Sequence, residues 1–373
     1  MRALTQIVFA LLACLGLGAP AGAQIRVGQT AGITGPVAGS VKEASDGARL
    51  YLNAVNSRGG VGGQKIELVS MDDKFEVPLA LSNAKALIGQ GVIALFLTRG
   101  TPHNQALLPL LTEARVPLVG PSTGAMVLHE PVHPWLFNVR ATYQREAERA
   151  IRHLLQIGVQ RIALVQVEDS FGDDAARGAL KGFATGSQPV AHEKYERSKP
   201  DFAPIMPKIV AADAQAVMFI GSGSTVVDGM RALRAAGSKA QMLTLSNNAS
   251  GGFVKSLGEL ARGVIVSQVL PAERALGTPM VKEAHDLARN LGKSAPEITP
   301  ALLEGFASAK VLVEGLRRAS AAKDLSRTGL QKALETLNRY DLGGLELSFS
   351  ASDHTGLDYA DLSIIGADGR FRR

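Results

Sequence analysis

Between residues 92 and 124 the chain runs through two short apolar stretches, 92–97 and 116–120, each followed by a loop of small hydroxyl residues and glycine. Over 105–114, between them, Leu107, Leu108, Leu110 and Leu111 recur at the spacing of one helix face. Strand, loop, helix, strand, loop is a βα unit of a parallel sheet, whose crossovers are right-handed. The loops Arg99-Gly100-Thr101 and Pro121-Ser122-Thr123-Gly124 then lie at the carboxyl ends of strands, the side on which open α/β sheets bind ligands. Free backbone N–H groups and small hydroxyls there suit a carboxylate or another anion.

The same alternation extends in both directions. A strand over 25–31 leads into Gly32-Ile33-Thr34-Gly35-Pro36, and a helix over 41–56 is stopped by Gly59-Gly60-Val61-Gly62-Gly63. A strand over 65–71 ends at Asp72-Asp73, and a helix over 78–89 begins on a proline, where the missing N–H costs least. Strand 135–139 and helix 143–157 close this series. A second one has strands over 161–167, 189–195, 216–220 and 241–245 and helices over 171–183, 202–212 and 225–236. Strand 264–269, helices over 279–291, 300–319 and 325–337, and strands 345–349 and 362–365 follow. A chain of 373 residues exceeds what one core usually organises. Two α/β lobes with parallel sheets are expected, the chain crossing between them more than once.

The formal charge of +6 comes from Lys and Arg scattered among Asp and Glu, with no basic run or aromatic-interleaved patch, which argues against a nucleic-acid partner. Arg2, an apolar run over 7–17 and Ala21-Gly22-Ala23 before Gln24 read as a signal peptide over 1–23, and the run is too short to span a membrane. Export to the periplasm is expected. Cys14, the single cysteine, lies in that run and leaves a lipoprotein as the alternative; cleavage before Gln24 removes it and with it any disulfide. The seven histidines show no metal-ligand spacing, and neither metal nor cofactor is expected; His103, His129 and His133 read as solvated loop residues, with a place facing the cleft as the alternative.

Several segments, in order, resemble the type I periplasmic binding proteins of ABC transporters, in the leucine/isoleucine/valine-binding branch. They include residues 32–36, Asn53-Ala54-Val55-Asn56 running into the glycines at 59–63, Asp72-Asp73, 116–122, Phe137-Asn138-Val139-Arg140, Phe171-Gly172, Asp201-Phe202 and Arg234-Ala235-Ala236-Gly237. The resemblance spans nearly all of the chain after residue 23. It implies two Rossmann-like lobes joined by three crossing segments, the first from 24–143 and 269–357, the second from 144–268 and 358–373. A small molecule would be trapped between them, and a membrane permease would receive it from a monomeric binding protein. By position, Gly100, Thr101, Ser122, Thr123 and Gly124 match the carboxylate clasp of the first lobe, and Ser40 a further ligand-facing place. Phe171 matches an aromatic cover in the second lobe, and Ser222 another cleft position.

Ser246, followed by Asn247, stands where amino-acid binders of this family place an acid for the ammonium group. A neutral residue there favours a carboxylate without an amine, or an amide, as much as an amino acid; Glu168, Asp169 and Asp228 are the acids able to substitute. Several site residues have a plainer role available: Thr101 as a helix cap, Ser122 as a structural turn, Phe171 as core, Ser222 as a cap, and Ser246 and Asn247 as a strand-end turn. Arg99 is either a solvated cation or an aid to anion binding. Gly120-Pro121-Ser122-Thr123-Gly124 also fits the G-x-S-x-G pattern of serine hydrolases, so an exported hydrolase using Ser122 and a ligand-sensing domain stand beside solute capture.

Overall fold

The computed structural model describes residues 24–184 and 186–373. The expected signal peptide, with Cys14, lies outside them. The first sheet holds β1 (Ile25–Ala31), β2 (Ile66–Asp72), β3 (Ala94–Phe96), β4 (Leu118–Val119) and β5 (Leu136–Phe137), all parallel, in the order β2-β1-β3-β4-β5. Helices α1 (Ala38–Ser57), α2 (Val77–Gly89) and α3 (Thr101–Ala114) connect its strands. The second series has helices α4 (Tyr143–Gln156), α5 (Ser170–Gly182), α6 (Met206–Ala211), α7 (Ser224–Ala235) and α8 (Gly251–Leu257). Its strands β6 (Ile162–Val167), β7 (Ala191–Tyr195), β8 (Ala216–Ile220), β9 (Gln241–Thr244) and β10 (Ile265–Gln268) are parallel.

The chain then returns to the first body. Helices α9 (Pro279–Arg289), α10 (Pro300–Ala321) and α11 (Arg327–Glu335) share a buried core with β1, β3 and α1, followed by the small hairpin of β11 (Tyr340–Asp341) and β12 (Glu346–Leu347). It crosses once more to add β13 (Asp361–Ile365) and β14 (Phe371–Arg372) to the second sheet, giving the order β14-β13-β10-β9-β8-β6-β7. The polypeptide thus passes between the sheets three times: after β5, after β10 and before β13.

Several local expectations differ from what forms, three of them as follows. Strand β13 runs antiparallel to β10, and β14 antiparallel to β13, so the second sheet is mixed; hydrophobic period carries no information on strand direction. Helix α6 begins at Met206 rather than 202, because Pro204 and Pro207 lack the N–H a helix interior needs and Pro207 is tolerated only in the first turn. Strand β7 starts at Ala191 and alternates half-buried and exposed residues, as an edge strand does.

The lobes are packed by helix pairs that touch through glycine. A Cβ on Gly305 of α10 would lie 1.7 Å from the Ala44 carbonyl of α1, and one on Gly47 would lie 1.9 Å from that of Leu302. In the second lobe a Cβ on Gly178 of α5 would come within 2.3 Å of Gln144 in α4. Any side chain there forces the helices apart and opens a close-packed core. Gly305→Ala should therefore cost roughly 1–3 kcal/mol in denaturant unfolding. Gly89→Ala, where a Cβ meets nothing within 4 Å, should be neutral or slightly stabilising. Equal midpoints for the two variants would show that the glycine contact does not set the helix spacing.

Candidate ligand-binding cleft

The sheet orders fix where a cleft must be. In the first sheet the succession of strands reverses between β1 and β3, and in the second between β6 and β8; crevices open beyond the strand ends at such points. The two sets of loops face each other. The Pro36 carbonyl, before α1, accepts from the Ser224 N–H at the start of α7 at 3.0 Å. Glu43 of α1 accepts from the N–H groups of Gly251 and Gly252 at 3.0 and 2.8 Å.

The centre of this interface is built around two arginines. Ser122 N–H donates to the Thr98 carbonyl at 2.7 Å, and Arg99 and Ser122 form an isolated parallel bridge that carries the β3–β4 pairing beyond the strands. Held there, Arg99 is buried, with 5% of the residue's surface exposed. It donates from Nη1 to Ser122 Oγ at 2.8 Å and from Nη2 across the cleft to the Asn247 carbonyl at 2.7 Å. Ser122 Oγ passes the chain on, donating to Glu304 of α10 at 2.7 Å.

Arg140, on the first crossing segment, is paired with Glu146 of α4, lies 3.6 Å from Glu304, and donates to Ser246 Oγ at 2.6 Å. Glu146 also accepts from the Ser246 N–H at 3.0 Å and from the Ser267 hydroxyl of β10. Burial penalises the Arg140 cation, but Glu146 and Glu304 outweigh it and raise its pKa above the usual arginine value. Burial lowers that of Arg99, with Tyr143 and Glu304 opposing only in part. A cavity of about 10 Å³ remains beside Arg99, lined also by Gln29, Val41, Ala44, Leu97 and Ser122. That is room for about one water.

The sequence-derived residues distribute unevenly over this geometry. Ser122, Ser246 and Asn247 belong to the arginine network, and Ser222 Oγ accepts from Asn247 Nδ2 at 3.1 Å. Thr101 and Thr123 pair through their hydroxyls at 2.7 Å, tying the two first-lobe loops together. Gly100 has a φ of +95°, and a Cβ on it would lie 2.5 Å from His103 Nδ1, so only glycine fits there. Gly124 packs against the first crossing segment, its carbonyl accepting from the Tyr143 N–H at 2.7 Å. Ser40 bonds its own helix at the Val37 carbonyl, and Phe171 packs on Tyr143 in the second core, with ring centroids 4.7 Å apart. Neither lines the small cavity.

Of the acids considered as partners for an ammonium, Asp169 caps α5 and is paired with Arg197 at 2.5 Å, while Asp228 is on the surface beside Arg231. His103 and His129 are buried rather than solvated, and burial pushes both pKa values down to about 4. His103 stacks on Phe75 at 4.5 Å beneath the Gly100 turn, which covers it. Ser122 lacks the setting of a hydrolase nucleophile. Strand β4 ends at Val119, a short 3-10 turn at Met126–Leu128 is all that follows, and the hydroxyl is bonded to a guanidinium and a carboxylate.

Sequence reasoning left out Arg140, Glu146, Glu304 and Ser267. Two of them had a signal. Glu146 stands among Tyr143, Ala147, Ala150 and Ile151 on the buried stripe of α4, and Glu304 is the acid in the first turns of a helix buried nearly all round. An acid on a buried face calls for a cation, and Arg140 is that cation.

Two α/β bodies, three crossings and a polar cleft at facing switch points define a two-lobe solute-binding protein of type I. The chain belongs to the periplasmic binding protein family, whose model matches residues 24–366. It is therefore a periplasmic ligand-binding protein of the ABC-transporter type. It is 24% identical to Leu/Ile/Val-binding protein homolog 3 of Brucella melitensis, over 92% of this chain and 94% of that one. Among solved structures, a substrate-binding periplasmic protein from Ralstonia solanacearum is 32% identical with a TM-score of 0.85, covering 93% of this chain and 99% of its own. An extracellular ligand-binding receptor from Verminephrobacter eiseniae is 29% identical with a TM-score of 0.83, covering 94% and 100%.

Because Glu146 serves Arg140, Ser246 and Ser267 together, Glu146→Gln should cost roughly 3 kcal/mol in denaturant unfolding, as expected when one partner of a buried pair is removed. Arg140→Met with Glu146→Leu should recover much of that loss. A single variant as stable as the parent would show that the pair carries no such constraint.

Proposed function

We propose that this protein captures a small carboxylate-bearing ligand between its two lobes and delivers it to the membrane permease of an ABC importer. The ligand is an amino acid, or an organic or aromatic acid, or an amide, without the amine. The first lobe is assigned to 24–143 and 269–357 and the second to 144–268 and 358–373. The chain acts as an exported monomer, cleaved before Gln24, with no nucleic-acid partner.

The observation that carries this reading is the direct bonding of first-lobe loops to second-lobe loops around a space of about 10 Å³. A molecule of amino-acid size enters only when the lobes part, and closing again surrounds it with hydrogen bonds from both. A ligand that contacts both lobes favours the closed form by its differential affinity for that form. Ser122, Thr101, Thr123, Gly100 and Gly124 are proposed for the first-lobe side, with Ser40 at its edge. Ser222, Ser246, Asn247 and Phe171 are proposed for the second. Apolar walls such as Val41, Ala44 and Leu97 supply affinity for the ligand body.

A thermal-shift screen of amino acids, aliphatic acids, aromatic acids and amides should show one class raising the melting temperature, since a ligand of the folded state stabilises it by mass action. Ser122→Ala should weaken calorimetric binding of that class by about 1.5–3 kcal/mol. Unchanged affinity would remove Ser122 from the site.

A further inference from the structure

The two arginines of the cleft are not equivalent. Arg140 is paired with Glu146 and lies within ion-pair distance of Glu304. Arg99 is as deeply buried, yet among the described residues no carboxylate lies within 4.0 Å of its guanidinium, and its bonds go to a serine hydroxyl and a backbone carbonyl. Glu304, the acid nearest to it in the network, is held by Ser122 on one oxygen and faces Arg140 with the other. Burying a charge without a counter-ion costs several kcal/mol, whereas the same guanidinium in an open cleft would be solvated.

We infer that Arg99 is the receptor for the ligand's carboxylate, that its unmatched charge makes lobe closure depend on an anion, and that the ligand is a monocarboxylate without a protonated amine. This rests on the reading of the cleft as the solute site. Closing on nothing strands the cation; closing on a carboxylate pairs it, and a fork of two N–H groups can hold the two oxygens. Arg140 Nη1, buried without a hydrogen-bond partner, adds a second unspent donor. The body of the acid would extend along Val41, Ala44 and Leu97, which line the cavity with Arg99.

An ammonium has no comparable place. Glu146 already receives Arg140, the Ser246 N–H and the Ser267 hydroxyl, and Glu304 receives Ser122 beside Arg140. The second Glu304 oxygen already faces Arg140 at 3.6 Å, and Asn247 Oδ1, buried without a donor, is neutral. It suits a hydroxyl or an amide N–H of the ligand, and it compensates a full positive charge poorly.

Matched probes separate these demands. Leucine, 4-methylpentanoate and 4-methylpentanamide share one branched body and differ in head group; hexanoate, benzoate and phenylacetate extend the set of acids. By calorimetry at least one acid should bind, and 4-methylpentanoate should bind at least about a hundredfold more tightly than leucine or its own amide, the ratio expected from stranding a charge. Arg99→Gln should weaken binding of the acid about tenfold to a hundredfold, with Arg99→Lys intermediate. The ligand-free Arg99→Gln protein should melt no lower than the parent, since in the open cleft the guanidinium is solvated and holds no structure together; a structural arginine would lower it. Leucine bound as tightly as the acid, or acid binding indifferent to Arg99→Gln, would overturn the inference while leaving capture in the cleft intact. Failure of every acid while an amine or amide binds would overturn it too. Failure of all probes, together with no hit in the wider screen, would overturn both it and the solute-binding reading.

Discussion

A buried positive charge is tolerable only where something nearby answers it, and the cleft of this protein is arranged around two such charges. Arg140 is answered from within by Glu146 and Glu304, residues of α4 and α10 that belong to different lobes. That network sits on the first crossing segment and reaches β10 through Ser267 and the turn after β9 through Ser246, so it fixes the floor of the cleft. Arg99 bridges from the β3 strand end to the Asn247 carbonyl, and among the described residues its hydrogen bonds go to neutral groups. One arginine is a structural keystone; the other is left with a charge that closure must accommodate.

Backbone geometry makes the arrangement possible. The reversal of strand order at β1/β3 and β6/β8 puts two sets of loops face to face. The bridge of Arg99 to Ser122 places the guanidinium beside the hydroxyl, and the positive φ of Gly100 turns the chain into α3 over His103. The glycine contacts of α1 with α10 bring Glu304 close enough to reach Ser122 from a helix that returns late in the chain.

Much of the architecture was legible in the sequence because strand and helix periods are local. The alternation predicts two parallel-sheet bodies, and it puts the loop at 99–101 at a strand end. Strand direction at β13 was not legible, since alternation is the same either way, and Pro207 shortened α6 by a rule that the apolar pattern overrode. For the site, Ser122, Ser246 and Asn247 could be placed by position, but not their partners. Arg140 and Glu304 are 164 residues apart and meet only because the chain crosses back. Phe171 reads equally as cover or core from sequence, and in the structure it packs on Tyr143. His103 and His129 looked like loop residues because local sequence does not reveal what folds over a loop.

If an anion completes the pairing of Arg99, capture and closure are one event, and the compactness of the molecule in solution should report it. X-ray scattering on the protein alone and with saturating 4-methylpentanoate, or whichever of the matched acids binds most tightly, tests this directly. The radius of gyration should fall on adding the acid to the parent protein and stay unchanged in Arg99→Gln at the same concentration. Superimposable curves for the parent with and without a bound acid would contradict closure driven by the ligand's charge.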